Sequence, residues 1–261
     1  MRLLILGKNS YIGKRLTEYL QQFPADYSVQ SISQRDDHWK SMGFSAFDSI
    51  VDCVGIAHRK ETKENAHEYY EINSDLAFQT AKKAKESGVE QFIFLSSMSV
   101  YGLDEGIITK ETQPDPKTHY GKSKWQAEQR ISALQDDAFK VAIVRPPMVF
   151  GEGCKGNYQS LVKLAKVLPI IPDYKNQRSM ISIENLNAYL KQLIDERSCG
   201  VFLPQDPEYH CTCEMIYNLS LKMGKGIKRT KYLNPIILPL MQTKLGKKAF
   251  SNLFYTFSDS H

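Results

Sequence analysis

Leu3-Leu4-Ile5-Leu6-Gly7-Lys8-Asn9-Ser10-Tyr11-Ile12-Gly13 is the stretch that decides the fold. Its first four residues form an unbroken apolar run, as in a parallel strand covered on both faces. A glycine-bounded turn follows, and Ile12, Leu16, Tyr19 and Leu20 then recur at helical spacing. Strand, tight turn and helix together aim unpaired N–H groups and a positive dipole end at an anion such as a phosphate. The pattern repeats downstream. Strands are predicted at Tyr27–Ser33, at Ser49–Gly55, in the stretch Phe92–Gly102 and at Val141–Pro147, and a long helix over 65–87 carries Tyr69, Ile72, Leu76, Ala77, Thr80 and Ala84 on one face. Gly88 ends that helix in the manner of a C-cap. Strands alternating with helices predict an α/β architecture with a doubly wound parallel sheet.

The chain has 261 residues, 42% hydrophobic and 24% charged, with net charge +5. Those values suit a globular protein with a sizeable core. No nucleic-acid-binding motif accompanies the positive charge, so an anionic small substrate or a negatively charged membrane surface accounts for it. Five cysteines, Cys53, Cys154, Cys199, Cys211 and Cys213, are odd in number and lack framework spacing, which fits a reducing compartment. His210-Cys211-Thr212-Cys213 lacks a second ligand pair at zinc spacing, and no metal site is expected. Met1–Leu6 runs straight into the turn and is too short for a secretory h-region, so a cytoplasmic location is expected. No apolar run reaches the roughly 18 residues of a membrane span. Pro235-Ile236-Ile237-Leu238-Pro239-Leu240-Met241 is read as core or interface.

Two stretches carry chemistry. In His119-Tyr120-Gly121-Lys122-Ser123-Lys124 the Tyr and Lys lie four apart and share a helix face. A nearby ammonium favours the phenolate and lowers the phenol pKa, making Tyr120 a usable acid/base at neutral pH. Upstream, Phe92-Ile93-Phe94-Leu95-Ser96-Ser97-Met98-Ser99-Val100-Tyr101-Gly102 reads as a buried strand ending in hydroxyls, where ligands of parallel sheets collect. A solvated helix and a turn or helix cap are the plain alternatives for these two stretches.

Taken in order, the glycine turn, SSxxVYG and YxxxK resemble the extended short-chain dehydrogenase/reductase family, in its NAD-dependent epimerase/dehydratase branch acting on nucleotide sugars. The likeness spans Met1 to about Tyr255 and implies a Rossmann-type domain over 1–148, with a smaller substrate-binding lobe over 149–261 and the helix at 183–196 packing back on the sheet. It implies Ser97, Tyr120 and Lys124 as catalytic residues. NADP(H) or NAD(H) is the implied cofactor, with contacts at Gly7, Asn9, Ser10, Tyr11, Ile12 and Gly13. Ser10 stands where the family's GxxGxxG has its middle glycine. Arg35 suits a 2′-phosphate and leans towards NADP(H), while Asp36 and Asp37 keep NAD(H) open. Cys53, Val54 and Gly55 align with the strand end beside the cofactor, Asn73 with an Asn on the cofactor side, and Ser96 and Pro146 complete the set. The stretch from the second strand to Ser49 is pared down relative to the family.

For the substrate, Ser97, Asn157 and Arg178 align with groups that contact the sugar and its diphosphate, whereas Met148 replaces an Asn. Met98-Ser99 replace the Asp-Glu pair of the 4,6-dehydratases, and no Cys follows Ser97 as in the 3,5-epimerising reductases. The resemblance therefore implies hydride transfer at a ring carbon. The run from Arg145 to Asn157 is most similar to reductases of 4-keto-6-deoxy-N-acetylhexosamine nucleotides. A UDP-sugar 4-epimerase with tightly bound NAD is the alternative, and a non-catalytic dinucleotide-sensing module a third. Homodimerisation through the helix of Tyr120 and the long helix before it is implied by analogy with relatives.

Overall fold

The computed structural model describes residues 1–57 and 59–259. β1 (Arg2–Leu6) turns into α1 (Tyr11–Leu20), and β2 (Ser28–Ile32) returns beside it. A single helical turn, α2 (His38–Ser41), leads to β3 (Ser49–Asp52). The helix expected over 65–87 is in three consecutive parts: α3 (Ala66–Tyr70), a wider π segment (Glu71–Leu76) and α4 (Ala77–Glu86). β4 (Gln91–Leu95), the short β5 (Gly106–Ile108), α5 (His119–Ser132) and β6 (Lys140–Val144) follow. The second half alternates small strands with helices: β7 (Met148–Phe150), α6 (Asn157–Val167), β8 (Ile170–Pro172), β9 (Met180–Ser182), α7 (Ile183–Asp195), β10 (Gly200–Phe202) and α8 (Thr212–Lys222). It closes with β11 (Lys228–Thr230), α9 (Asn234–Leu240), α10 (Lys244–Phe250) and β12 (Leu253–Tyr255).

Six strands form one sheet in the order β10-β6-β4-β3-β1-β2, and every pairing in it is parallel. Alternate β1 residues face opposite layers. Leu3 and Ile5 pack with Leu16 and Leu20 of α1 and with Leu186, Leu190 and Leu193 of α7. Leu4 and Leu6 pack with Ala77, Ala81 and Ala84 of α4 and Ala127 and Ile131 of α5. This two-sided cover is the reason the run has no polar alternation. Succession reverses at β1, with β2 on one flank and β3 on the other, and such a reversal opens a crevice at the carboxyl ends of the strands.

The chain crosses the division expected at 148/149 more than once. α7 covers the sheet beside α1, and β10 adds a sixth strand next to β6. β12 returns from residues 253–255 to pair with β5. The rest of the second half has its own small core, in which Leu161 and Ala165 of α6 meet Ile216 and Leu219 of α8.

One buried ion pair ties these layers together. Arg145, just past β6, donates from Nη2 to Glu128 of α5 at 2.6 Å and from Nε to both Glu128 oxygens at 3.1 Å. Its Nη1 reaches the Tyr101 hydroxyl at 2.8 Å, Ser96 donates its hydroxyl to Glu128, and the Tyr255 hydroxyl donates to the Arg145 carbonyl at 2.8 Å. Removing one partner leaves a buried charge unanswered. Glu128→Ala is therefore expected to cost about 3–5 kcal/mol of unfolding free energy, read from urea unfolding at unchanged slope. A loss below about 1 kcal/mol would mean the pair behaves like a surface one.

Candidate active site

The turn between β1 and α1 is built by exclusion of side chains. Gly7 has φ +95°, and a Cβ on Gly13 would lie 2.5 Å from the Gly7 carbonyl oxygen and 2.8 Å from the Ser10 Oγ. Only glycine fits there. Ser10, at the middle position, has ordinary φ −76° and caps α1, its Oγ accepting from the Gly13 N–H at 3.0 Å. Its hydroxyl hydrogen remains able to donate. The first intrahelical bond runs from Lys14 N to the Ser10 carbonyl, so the Tyr11 and Ile12 N–H groups precede it. Lys8 and Asn9 are exposed. The Tyr11 hydroxyl donates to the Glu152 carbonyl at 3.1 Å, bridging the turn to the loop of the second half. A side-chain-free cradle at a helix N-terminus fits a pyrophosphate.

Beyond β3, the Cys53-Val54-Gly55 segment is held by the π segment. The Asn73 Oδ1 accepts from the Ile56 N–H at 2.7 Å, and its amide donates to the Ile56 carbonyl at 3.2 Å and to Ser123 Oγ at 3.1 Å. Asn73 is fully buried, and those three bonds take up its amide group. π turns set into α-helices often accompany functional sites. A Cβ on Gly55 would come within 3.1 Å of both the Asn73 Oδ1 and the Lys124 Nζ. Burial pushes the Cys53 thiol up, which makes it a neutral wall.

Tyr120 stands in the first turn of α5. Thr118 caps that helix through the Gly121 N–H at 3.1 Å, and the Glu61 carboxylate accepts from the His119 and Tyr120 N–H groups at 2.9 and 3.0 Å. An anion suits a helix N-terminus. Gly121 brings this turn against the Ser97 loop, for a Cβ there would lie 2.6 Å from the Ser99 carbonyl. Ser97 Oγ accepts from the Ser99 N–H at 3.1 Å, and the Pro146 carbonyl accepts from the Met98 N–H at 2.9 Å. Ser97 is thus a turn cap and also a partner of the phenol. Burial raises the Tyr120 pKa above the ordinary tyrosine value, and the hydrogen bond with Ser97 pulls it the other way.

Lys124 differs from the expectation that its cation acts on the phenol. Its ammonium, almost wholly buried, donates to the Leu95 carbonyl at 2.8 Å and the Val54 carbonyl at 3.3 Å and lies 4.5 Å from the centre of the Phe94 ring. It is engaged with the ends of β3 and β4, so burial governs the phenol. Burial also lowers the Lys124 pKa to about 8, with Asp52 as the strongest opposing influence. Asp52 is fully buried; its Oδ1 accepts from the Val54 N–H at 2.9 Å, and its Oδ2 has no hydrogen-bond partner. Burial raises the Asp52 pKa to about 6, against the pull of Lys124. Asp52 and Glu61 carry no motif, and sequence reasoning passed over both.

The other expected site residues are spread more widely. Ser96 commits its hydroxyl to Glu128. Arg35 lines an open cleft of about 490 Å³ together with Asp36, Asp37, Glu71 and Asp75. Asn157, the first residue of α6, is exposed. Arg178 is half-buried and donates to the Ser251 carbonyl at 3.0 Å. Met148 packs against the small core of the second half. His210 pairs with Asp206 at 2.8 Å, and Cys211 turns its thiol to the Tyr174 carbonyl.

The profile of the NAD dependent epimerase/dehydratase family matches residues 3–184. A UDP-glucose 4-epimerase of Vibrio cholerae is 35% identical over 189 residues, 67% of this chain and 57% of the relative. The N-acetyl-alpha-D-glucosaminyl-diphospho-ditrans,octacis-undecaprenol 4-epimerase of Escherichia coli O157:H7 is 26% identical over 217 residues, 76% of this chain and 64% of the relative. The chain thus spans about three fifths of the length of these curated relatives. Among solved structures, UDP-glucuronic acid 4-epimerase from Bacillus cereus with NAD superimposes with TM-score 0.76 at 18% identity, covering 100% of this chain and 91% of that one. The dTDP-4-dehydrorhamnose reductase of Bacillus anthracis with NADP gives 0.71 at 20% identity, covering 88% and 84%. At these identities the two structures share the fold.

The Asp52–Lys124 pair generates a pH prediction. A lysine is charged below its pKa, so the ammonium that holds the Leu95 and Val54 carbonyls is lost as pH rises through about 8. Asp52→Asn removes the main influence holding that value up. The alkaline limb of the pH profile of cofactor-dependent turnover is expected to begin at lower pH in Asp52→Asn. A limb that stays in place would show that the carboxylate does not set the lysine's charge.

Proposed function

The chain belongs to the NAD dependent epimerase/dehydratase family, and from that premise we propose that it is an NAD(P)-dependent oxidoreductase acting at C4 of a nucleotide sugar. The observation that carries this reading is the Ser97–Tyr120 hydroxyl pair, set one helical turn from the buried Lys124 ammonium. Gly7, Asn9, Ser10, Tyr11, Ile12 and Gly13 would hold the pyrophosphate of the cofactor. Arg35 would meet its adenosine ribose, and Cys53, Val54, Gly55 and Pro146 would flank its other half, with Ser96 and Asn73 supporting them from behind. When bound, the nicotinamide supplies or accepts a hydride. Arg35 and Lys40 line the same cleft as Asp36, Asp37, Glu71 and Asp75, a mixed lining that leaves both NADP(H) and NAD(H) as readings of the cofactor.

Burial keeps the proton on the Tyr120 phenol at neutral pH, which supports the direction in which a carbonyl oxygen receives it. Ser97 would donate a second hydrogen bond to that oxygen. Lys124, held on the Leu95 and Val54 carbonyls, would brace the two strand ends that face the cofactor. Met98 and Ser99 follow Ser97 without a carboxylate, so water elimination lacks a base there. Reduction of a 4-keto-6-deoxy-N-acetylhexosamine nucleotide is the finer reading, with Asn157 and Arg178 meeting the diphosphate. The likeness to 4-epimerases at 35% and 26% identity supports a second reading, 4-epimerisation with retained NAD.

A panel of UDP-, dTDP- and GDP-linked sugars and 4-keto sugars separates these. Loss of reduced-cofactor absorbance with a keto sugar supports the reductase. Interconversion of 4-epimers without net cofactor consumption supports the epimerase. Thermal stabilisation by cofactor with no turnover on any sugar would overturn both in favour of a sensing module. Tyr120→Phe is expected to lower turnover by at least about 10²-fold while cofactor binding by calorimetry is retained; near-normal turnover would remove the phenol from the reaction.

A further inference from the structure

We infer that the second half of the chain carries a docking surface for an anionic phospholipid bilayer. Its charge is lopsided. From residue 215 to 258 the sequence has eight Lys and Arg and no Asp or Glu. Subtracting those eight charges from the net +5 of the chain leaves −3 on all other residues. Among the described residues, Lys247 with Glu105 is the one ion pair that these cations make. Lys222, Lys228 and Lys231 are exposed.

The same region carries exposed apolar surface. Nine of the 13 exposed large hydrophobic residues lie on α6, β8, the end of α8 and the segment from Tyr232 through α9. β8 pairs with β11, and Asn234 of α9 donates to the Asp173 carbonyl next to β8 at 3.1 Å, so these elements are joined. In α9 only Ile237 is buried; Ile236 is 52% and Leu238 65% exposed, and Tyr232 just before them is 94% exposed. In the segment expected as core or interface, Ile237 is buried and Met241 meets the Tyr174 hydroxyl at 3.5 Å, whereas Pro235, Ile236, Leu238, Pro239 and Leu240 are exposed. No helix among the described residues is long and apolar enough to cross a membrane.

Charge complementarity selects the occupant. Apolar side chains and an aromatic residue interleaved with unpaired cations match the acyl boundary and anionic headgroups of a bilayer surface. In a symmetric dimer the same patch would meet itself, setting these uncompensated cations against their own copies. Nucleic acid answers the cations but not the aliphatic side chains.

The experiment is co-sedimentation of the full chain with vesicles of phosphatidylglycerol and phosphatidylethanolamine, against vesicles of phosphatidylcholine alone. At least about tenfold more protein is expected on the anionic vesicles, falling with added salt. Lys228→Glu/Lys231→Glu and Ile236→Ser/Leu238→Ser are each expected to abolish most of the binding, with melting temperature unchanged because all four side chains are exposed. Should a variant melt early, the salt titration of the unaltered chain decides. Binding no greater than to phosphatidylcholine would overturn the proposal. So would retention of single-stranded RNA without vesicle binding, or a dimer lost in Ile236→Ser/Leu238→Ser while vesicle binding persists.

Discussion

A lysine ammonium withdrawn from water is the constraint around which the candidate site is arranged. Charge is costly to bury unless hydrogen bonds and opposite charge replace the lost hydration. For Lys124 the replacements come from separate elements: a carbonyl at the end of β4, a carbonyl after β3, the Phe94 ring and the Asp52 carboxylate. None of these is adjacent to Lys124 in sequence, so the cation is tolerable only when β3, β4 and α5 are in register. The geometry that seats the lysine also sets Tyr120 one turn earlier on the same helix, against the Ser97 loop.

Two buried carboxylates serve opposite purposes here. Glu128, one turn beyond Lys124, is saturated by Arg145 and Ser96, and its pairing is closed. Asp52 has an oxygen without a partner and a pKa raised to about 6 by burial. A satisfied pair is rigid scaffolding, whereas an incompletely solvated carboxylate responds to the charge beside it. The sheet thus has a fixed pair on one side of the lysine and an adjustable one on the other.

Much of the fold could be read because it rests on local rules. The Leu3–Leu6 run, the glycine turn and the helical spacing of Leu16 and Leu20 each have one packing solution in a doubly covered sheet. Ser10 looked like a weakened glycine motif; the middle position has an ordinary φ and gains a helix cap. The long helix was legible, but its π segment was not: the wider turn rotates Asn73 and Ser74 into the core and leaves Ile72 and Leu76 of the expected face only partly buried, a shift that no apolar residue announces, and Asn73 then clamps Ile56. Glu61 and Asp52 were illegible for another reason. Their roles exist only through partners far away in sequence, at His119, Tyr120 and Lys124. β10 was missed because three residues at a sheet edge, with Val201 exposed, show no strand periodicity.

The return of β12 to β5 has a consequence for biosynthesis. Tyr255 is fully buried against Tyr101 and holds the carbonyl of Arg145, 110 residues earlier. On the ribosome, the strands of the large sheet emerge before that tyrosine does, so the cluster of Val100, Tyr101 and Ile108 stays unsealed until late in translation. Contacts of such long separation are slow to form. A nascent chain halted before residue 253 would therefore lack the strand and the tyrosine that cover Tyr101 and the Arg145 carbonyl.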